Sequence, residues 1–421
     1  MKTIQLRFVS LFWAIVSLLA TWPSSAQSSL DFFTVSGTVR DGESHRPLAN
    51  VTVSIPDSPV GTITNDNGSF SLKIRSGSGV RAIEFSHIGY FTQRVSVSGR
   101  DQSGLRVDLA QRSILLEDVE ILNRDPLILV EQALRRVETN YSDRSAVLTG
   151  FYRETVQKRQ QYIDITEAVV EVYDTPYTQD SRQSAVRIVK GRRLVTPRAA
   201  DTLAVVLQGG PNTYLFANLV REKEFVLDPQ TLHFYRFRID DVVSIDGRLH
   251  DVVSFTPRII LLEQALFTGQ LFIDRQTLTI SRAEFGLDMS DQWRATQTIL
   301  RKKPATLRFY PDEVSFVANY RQHDGRSYLN YISNTIRFRC DWRRRLFRTN
   351  YTVKAEMVIT DAIYEDVVPI RSRESFPRST ALSKRIADFY DPAFWEAYNI
   401  IEPTESLEFA VDRLRKRSEN E

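Results

Sequence analysis

The side chains able to do chemistry are few and scattered. The five histidines, His45, His87, His233, His250 and His323, stand apart from one another, with neither a His-Glu-x-x-His nor a His-x-x-Glu pattern to hold a zinc ion. No Gly-x-Ser-x-Gly elbow presents a serine nucleophile, and Ser76-Gly-Ser-Gly79 falls between two strand-like runs, where a flexible turn explains it. Phosphate-cradling loops of the Gly-x-x-x-x-Gly-Lys or Gly-x-Gly-x-x-Gly kind are absent from the sequence. A glycosidase needs only two carboxylates about 5–10 Å apart, and Glu154, Glu167, Glu171, Asp240 and Asp241 are candidates. In a chain with 52 acidic residues, however, sequence spacing brings no two of them together. The expectation is therefore no catalytic residue, no metal and no cofactor. Cys340, the single cysteine, sits in the alternating Ile336-Arg-Phe-Arg-Cys340 run and reads as a small buried hydrophobe rather than a reactive thiol.

Two groups of cations remain. In Phe151-Tyr-Arg-Glu-Thr155, alternation puts Arg153 with Phe151 on one face of a strand and Glu154 with Tyr152 on the other. A charge sharing a face with a core must be paired, so Arg153 is either half of a buried ion pair or the holder of an anionic headgroup. Farther on, Arg337, Arg339, Arg343, Arg344, Arg345 and Arg348 interleave with Phe338, Trp342 and Phe347. Such a pattern can bind nucleic acid or anionic lipid. A hairpin tip with solvated arginines is the simpler account, because Asp341 to Arg345 lies between two alternating runs. The candidate ligand or partner contacts are thus Arg153, Trp342, Arg343, Arg344 and Arg345. With 55 basic against 52 acidic residues the net charge is only +3, too balanced for an obligate nucleic-acid binder.

The elements that position these residues are mostly strands. From Phe33 to Leu122, short alternating runs are broken by turns: Val35–Val39, Val51–Ile55, Ser69–Ile74, Ile83–Phe85, Arg94–Val97 and Leu105–Leu109. Short strands at this spacing predict a β-sandwich, and Asp66-Asn67-Gly68 predicts a hairpin because Asn and Gly accept a positive φ. Asp125-Pro126 then opens a helix, with Leu127, Val130, Leu134, Val137 and Tyr141 on its core-facing stripe. Beyond it strand runs dominate, from Leu148–Val156 to Leu346–Thr360, and Pro392–Tyr398 and Leu407–Leu414 predict short covering helices. The pattern is α+β, with one large curved antiparallel sheet and flanking helices.

Three resemblances add to this reading. Val35-Ser-Gly-Thr-Val39-Arg-Asp41, Pro47-Leu-Ala-Asn-Val51, Gly61-Thr-Ile-Thr-Asn-Asp-Asn-Gly-Ser-Phe70 and Phe85-Ser-His-Ile-Gly-Tyr90 resemble the carboxypeptidase-regulatory-like domain. The resemblance implies a seven-stranded prealbumin-like sandwich that is an accessory module without catalytic residues. Leu249–Pro257 with Gly269–Phe285 resembles the paired strands of bacterial lipoprotein carriers, which implies shelter for an acyl chain. Gly150–Thr155, Gln208–Pro211, Arg301–Pro304, Tyr328–Tyr331 and Asp391–Asn399 with Glu402-Pro403 together resemble two-part Bacteroidetes envelope proteins, and no biochemical role comes with that likeness.

Lys2 and Arg7, the apolar run Phe8–Ala20, and Ser24 and Ala26 before the break read as a secretory signal peptide. The expected organisation is a leader at 1–26, a sandwich at 31–122, the sheet domain at 125–415 and a frayed tail at 416–421. The expected protein is exported to the periplasm or associated with the outer membrane. It has no transmembrane segment after cleavage and no cysteine for lipid anchoring beside Ala26. It is expected to be non-enzymatic, binding or scaffolding, with an amphipathic or lipid ligand or another envelope protein as partner and no nucleic acid. The alternatives are an envelope hydrolase acting on glycan or peptide and a structural module of an outer-membrane receptor system.

Overall fold

The computed structural model describes residues 32–112, 124–195, 209–223, 226–299, 307–342, 348–390, 398–404 and 406–411. The expected leader, the tail and all but the last residue of the expected helix Pro392–Tyr398 lie outside these residues. So do Arg343, Arg344, Arg345 and the side chain of Trp342. Among the described residues no helix is long and apolar enough to cross a membrane.

The chain is mainly β. Its first seven strands form two small sheets face to face. In one, β1 (Phe32–Asp41) lies between β4 (Ser69–Arg75), antiparallel, and β7 (Gln102–Leu109), parallel. In the other the order is β3 (Gly61–Ile63), β2 (Thr52–Ser54), β5 (Ala82–Ser86) and β6 (Gln93–Ser96). Period-two alternation turns Val35, Val39, Phe70, Leu72, Phe85 and Val107 into one shared core. Phe70 and Phe85 meet edge to face with ring centroids 5.2 Å apart. Asp41 pins the loops at one end, accepting from Ser44, from Tyr90 Oη at 2.7 Å and from Gln111 at 2.6 Å.

Asp66-Asn67-Gly68 is a tight turn, but not between paired strands. The Asn65 side chain accepts from the backbone of Asn67 and Ser69 at 2.9 Å each, and Gly68 has φ +73°. The strands it joins, β3 and β4, belong to opposite sheets, so the turn carries the chain across the sandwich instead of closing a hairpin. Local turn chemistry cannot distinguish the two, because register is set by the partners each strand finds later.

The remaining ten strands form one antiparallel sheet in the order β10-β9-β8-β17-β16-β15-β14-β13-β12-β11. They are β8 (Ala146–Lys158), β9 (Gln161–Asp174), β10 (Ala185–Val195), β11 (Tyr235–Ile245), β12 (Arg248–Pro257), β13 (Phe267–Asp274), β14 (Ile280–Leu287), β15 (Leu307–His323), β16 (Arg326–Trp342) and β17 (Thr349–Ile363). The strand β11 runs unbroken through Asp240, with a bulge between Ile239 and Asp241. The last strand, β17, returns to pair with the first, β8.

One face of this sheet is filled by the chain itself. Asp125 caps the helix Pro126–Arg135 by accepting from Leu127 N at 2.8 Å, and Leu129, Val130, Ala133 and Leu134 face the strands. Tyr214, Leu215, Leu219 and Val220 from the segment after Gly209 share that core, which reaches from Val186 on β10 to Phe237 on β11. The opposite face is covered by the sandwich and by residues 398–404 and 406–411. Ile63 of β3 and Ile401 pack on Phe151, Tyr331 and Val358, while Thr62 and Asn65 donate to the carbonyls of Ile400, Glu402 and Pro403.

A Cβ at Gly68 would lie 2.4 Å from the Val39 carbonyl oxygen, whereas at Gly77, with the equally positive φ of +76°, it would meet nothing within 4 Å. Gly77→Ala should therefore cost about 1–2 kcal/mol, the left-handed backbone penalty alone, and Gly68→Ala clearly more. Urea unfolding of the two variants checks this; equal losses would mean that the approach to Val39 does not constrain the turn.

Candidate functional site

Three places in the sheet domain bring chemistry-bearing side chains together. The first is on the covered face. Arg153 on β8, 4% exposed, donates from Nε to Glu167 Oε1 on β9 at 2.7 Å and from Nη2 to the Ile401 carbonyl at 2.7 Å. Glu356 on β17 lies 3.6 Å from Nη1, and the Phe151 ring centroid is 5.0 Å from the guanidinium carbon. Arg192 holds the other oxygen of Glu167 at 2.7 Å. Burial alone would raise the Glu167 carboxyl, but Arg153 and Arg192 together hold it below the ordinary carboxylate range. Lys354 extends the network, 3.1 Å from Glu356 and 3.9 Å from Asp66 of the sandwich.

One residue along β8, the side chain points the other way. Glu154 is 7% exposed and accepts from Tyr152 Oη at 3.1 Å. Burial, reinforced by the negative charge of Asp164, pushes its carboxyl up to about 7. Arg193 offsets this only in part, because its guanidinium is already clasped on Asp164, with Nη2 2.5 Å from Oδ2. Glu154 is thus a buried acid that changes charge near neutrality.

The third place is the outer edge of β10. Residues 376–390 run along this edge, and their backbone meets it at two points: Phe376 N donates to the Val186 carbonyl, and Tyr390 bridges Gly191. Between them a bulge at Val189 interrupts the pairing with β9, and no backbone bond joins Ile188 to the covering segment. A cavity of about 430 Å³ opens there. Val189, Phe376, Pro377 and Phe389 give it apolar walls, and Arg187, Arg373 and Arg385 outnumber Glu171 and Glu374 around them. Arg187 bonds Glu171 Oε2 at 2.7 Å and lies 3.5 Å from Glu374, Arg385 bonds Asp388 at 2.9 Å, and Arg373, mostly exposed, lies 3.7 Å from Glu374. Sequence reading missed these residues because they come from segments almost 190 positions apart; only the alternation of β10 was visible.

The described arginines of the basic cluster are paired. Arg339 is bidentate on Asp312, with Nη2 to Oδ1 at 2.7 Å, Arg337 lies 3.1 Å from Glu313, and Arg348 sits over the Tyr310 ring at 5.0 Å. Cys340 is buried in the core beside Phe338 and Tyr351, and burial pushes its thiol up to about 11. Among the described residues no group of three or more His, Cys, Asp or Glu side chains could hold a metal ion.

With this geometry in place, comparison with known proteins adds one firm point. Residues 35–121 match the CarboxypepD_reg-like domain. Its described part, residues 35–112, belongs to the sandwich, which enters the three places just described only through Asp66. No curated protein matches the chain. Three solved structures overlap 58% of it: a DUF1329 family protein from Desulfovibrio piger (11% identity, 95% of that chain, TM-score 0.24), a structure assigned as an outer-membrane lipoprotein-sorting protein domain from Vibrio parahaemolyticus (10%, 93%, 0.26) and a LolA superfamily protein from Nitrosomonas europaea (10%, 98%, 0.23). Likeness at these TM-scores says nothing of what this chain binds.

Two variants separate the roles of neighbouring charges on β8. Arg153→Met leaves Glu167 with Arg192 and Glu356 with Lys354 as their remaining cations under cover and should cost about 3 kcal/mol in denaturant unfolding, the low end for breaking a buried pair; a loss under 1 kcal/mol would show that the network is not needed for the docked arrangement. Glu154 binds its proton more tightly folded, at about 7, than unfolded, at 4.5. Its contribution to stability is therefore full below pH 4.5 and is lost as pH rises through 7. Measured at pH 5 and pH 8, Glu154→Gln should gain on the parent with rising pH, by about 3 kcal/mol at most; a pH-independent difference would place the Glu154 carboxyl in its ordinary range.

Proposed function

We propose that the protein is a binding protein of the cell envelope that takes an amphipathic ligand, an apolar chain with an anionic head, at the outer edge of β10. One observation carries this reading: a cavity of about 430 Å³, within the usual range for small-molecule sites, pairs apolar walls with a surplus of guanidinium groups. Val189, Phe376 and Phe389 would receive the chain, and exposed Arg373 would meet the head. The leader-like first 26 residues support a location outside the cytoplasm, and the accessory character of CarboxypepD_reg-like domains supports a docking or spacing role for the sandwich.

The site differs from the one expected from sequence. A ligand sheltered against the sheet would have to displace the helix Pro126–Arg135 and the segment around Tyr214 and Leu219, which already fill that face. Displacing packed side chains of this size costs several kcal/mol each. The edge cavity needs no such displacement.

The test is titration of the full chain with a fluorescent long-chain fatty acid, alongside mass spectrometry of organic extracts of the natively purified protein. Saturable binding that weakens at least fivefold in Arg373→Glu, and a stoichiometric amphipath in the extract, are expected. A clean extract with no saturable binding would overturn the reading.

A further inference from the structure

We propose that Ser281 and His250 form a nucleophile and general-base pair that cleaves short-chain acyl esters, of acetyl size, at the seam between sandwich and sheet. The inference starts from a register defect. On β14, Ile280 pairs with Ile273 and Arg282 with Phe272, which leaves Ser281 as the extra residue of a bulge. A bulge re-aims one side chain out of the regular pleat, and this one brings Ser281 Oγ to 2.8 Å from His250 Nε2 on β12.

The proton positions follow from the partners. His250 Nδ1 is 2.9 Å from the Arg248 carbonyl oxygen, which can only accept, so Nδ1 carries the ring proton and Nε2 is left as an acceptor. Ser281 Oγ–H therefore donates to Nε2, the arrangement in which a hydroxyl is activated by an oriented imidazole. Burial holds the ring below its ordinary value, which keeps it neutral and able to take a proton. Asp274 Oδ2, buried without a hydrogen-bond donor, lies 3.9 Å from Nε2 and faces the charge that proton transfer would create. Arg248 Nε stands 3.2 Å from the same oxygen.

The pair is accessible from one side. His250 is fully buried, but Ser281 is only partly so and lines a polar cavity of about 70 Å³ whose walls come from both halves of the chain. That volume suits a two-carbon acyl group and not a long chain. Arg321 lines the same cavity; its Nη2 donates to the Ile55 carbonyl at 3.2 Å, and its buried Nη1 has no acceptor of good geometry. A leftover donor that borders the same cavity as the nucleophile is what a developing oxyanion requires.

The reaction balances without a cofactor. Ser281 Oγ bonds to the acyl carbon as its proton passes to His250 Nε2. The ester C–O bond breaks, and the leaving alkoxide takes that proton and departs as the alcohol. Water then attacks the acyl-serine, giving a proton to Nε2 and its oxygen to the acyl carbon. Ser281 recovers the proton as the carboxylic acid leaves.

The experiment exposes the full chain to a small alkyl fluorophosphonate and maps adducts by peptide mass spectrometry, with p-nitrophenyl acetate turnover as the second readout. Expected are a phosphonyl adduct on Ser281 and a drop of at least 100-fold in turnover for Ser281→Ala. No adduct on Ser281 in folded parent protein overturns the proposal without any variant; turnover unchanged in a folded Ser281→Ala also overturns it. The seam is separate from the β10 cavity, so fatty-acid binding and Ser281 labelling can fail independently.

Discussion

Taking the Arg153 guanidinium out of water costs several kcal/mol unless the groups around it answer its charge. The answer recruits distant parts of the chain. Glu167 comes from β9, Glu356 from β17, and the Ile401 carbonyl from the segment that crosses over them. Because β17 is the last strand and β8 the first of their sheet, the same ion cluster lies across the closure that makes ten strands one sheet. Lys354 and Asp66 then carry the network to the sandwich, and Asn65, the residue that organises the neighbouring turn, bonds the Glu402 and Pro403 carbonyls. A buried cation thus ties these pieces to one another, and its apolar surroundings at Phe151, Tyr331 and Val358 keep water from relieving the requirement.

The two faces of the large sheet consequently do different work. The face against the helix Pro126–Arg135 is apolar and closed, with aromatic contacts such as Tyr141 on Tyr177 at 5.0 Å deep inside. The face toward the sandwich is mixed: beyond the apolar patch around Phe151, Tyr331 and Val358 it is held by hydrogen bonds between loops and strand ends, such as Gly89 N to the Ser244 carbonyl and Arg112 to Gly247. Polar seams tolerate cavities because their walls can be solvated, whereas an apolar core pays for every void in lost contacts. The small seam cavity beside Ser281 lies on the polar side of the sheet, and the larger one lies at its edge, beyond the closed core.

Much of the architecture was legible because it rests on short-range rules. Alternation marked the strands, Asp125-Pro126 marked the helix start, and the Phe151-Tyr-Arg-Glu pattern placed Arg153 and Glu154 on opposite faces. What sequence could not supply was anything decided by pairing partners. The Gly68 turn has hairpin chemistry yet joins two sheets, and the site of the Ser281 bulge depends on how β13 and β14 slip by one residue. No serine-nucleophile motif flags Ser281, since such motifs describe a strand-to-helix elbow, and here a strand defect takes its place. The edge cavity was equally hidden, because Arg187 and Phe376 meet only after β10 has found its place at the end of the sheet.

Arg153 and Glu154 show how little separates a structural charge from a labile one. They are consecutive, both nearly inaccessible, and differ in which face of one strand they occupy. Arg153 is met by two carboxylates and a carbonyl, so its charge is fixed across the physiological range. Glu154 is met by a tyrosine hydroxyl and by the field of another acid, while the nearest guanidinium is spent on Asp164. A buried carboxyl in that position is held up to about 7, where its proton comes and goes near neutrality. Selection for stability alone would favour a glutamine or an apolar residue there, and the pairing of a locked cation with an adjacent unlocked acid is a feature that packing does not require.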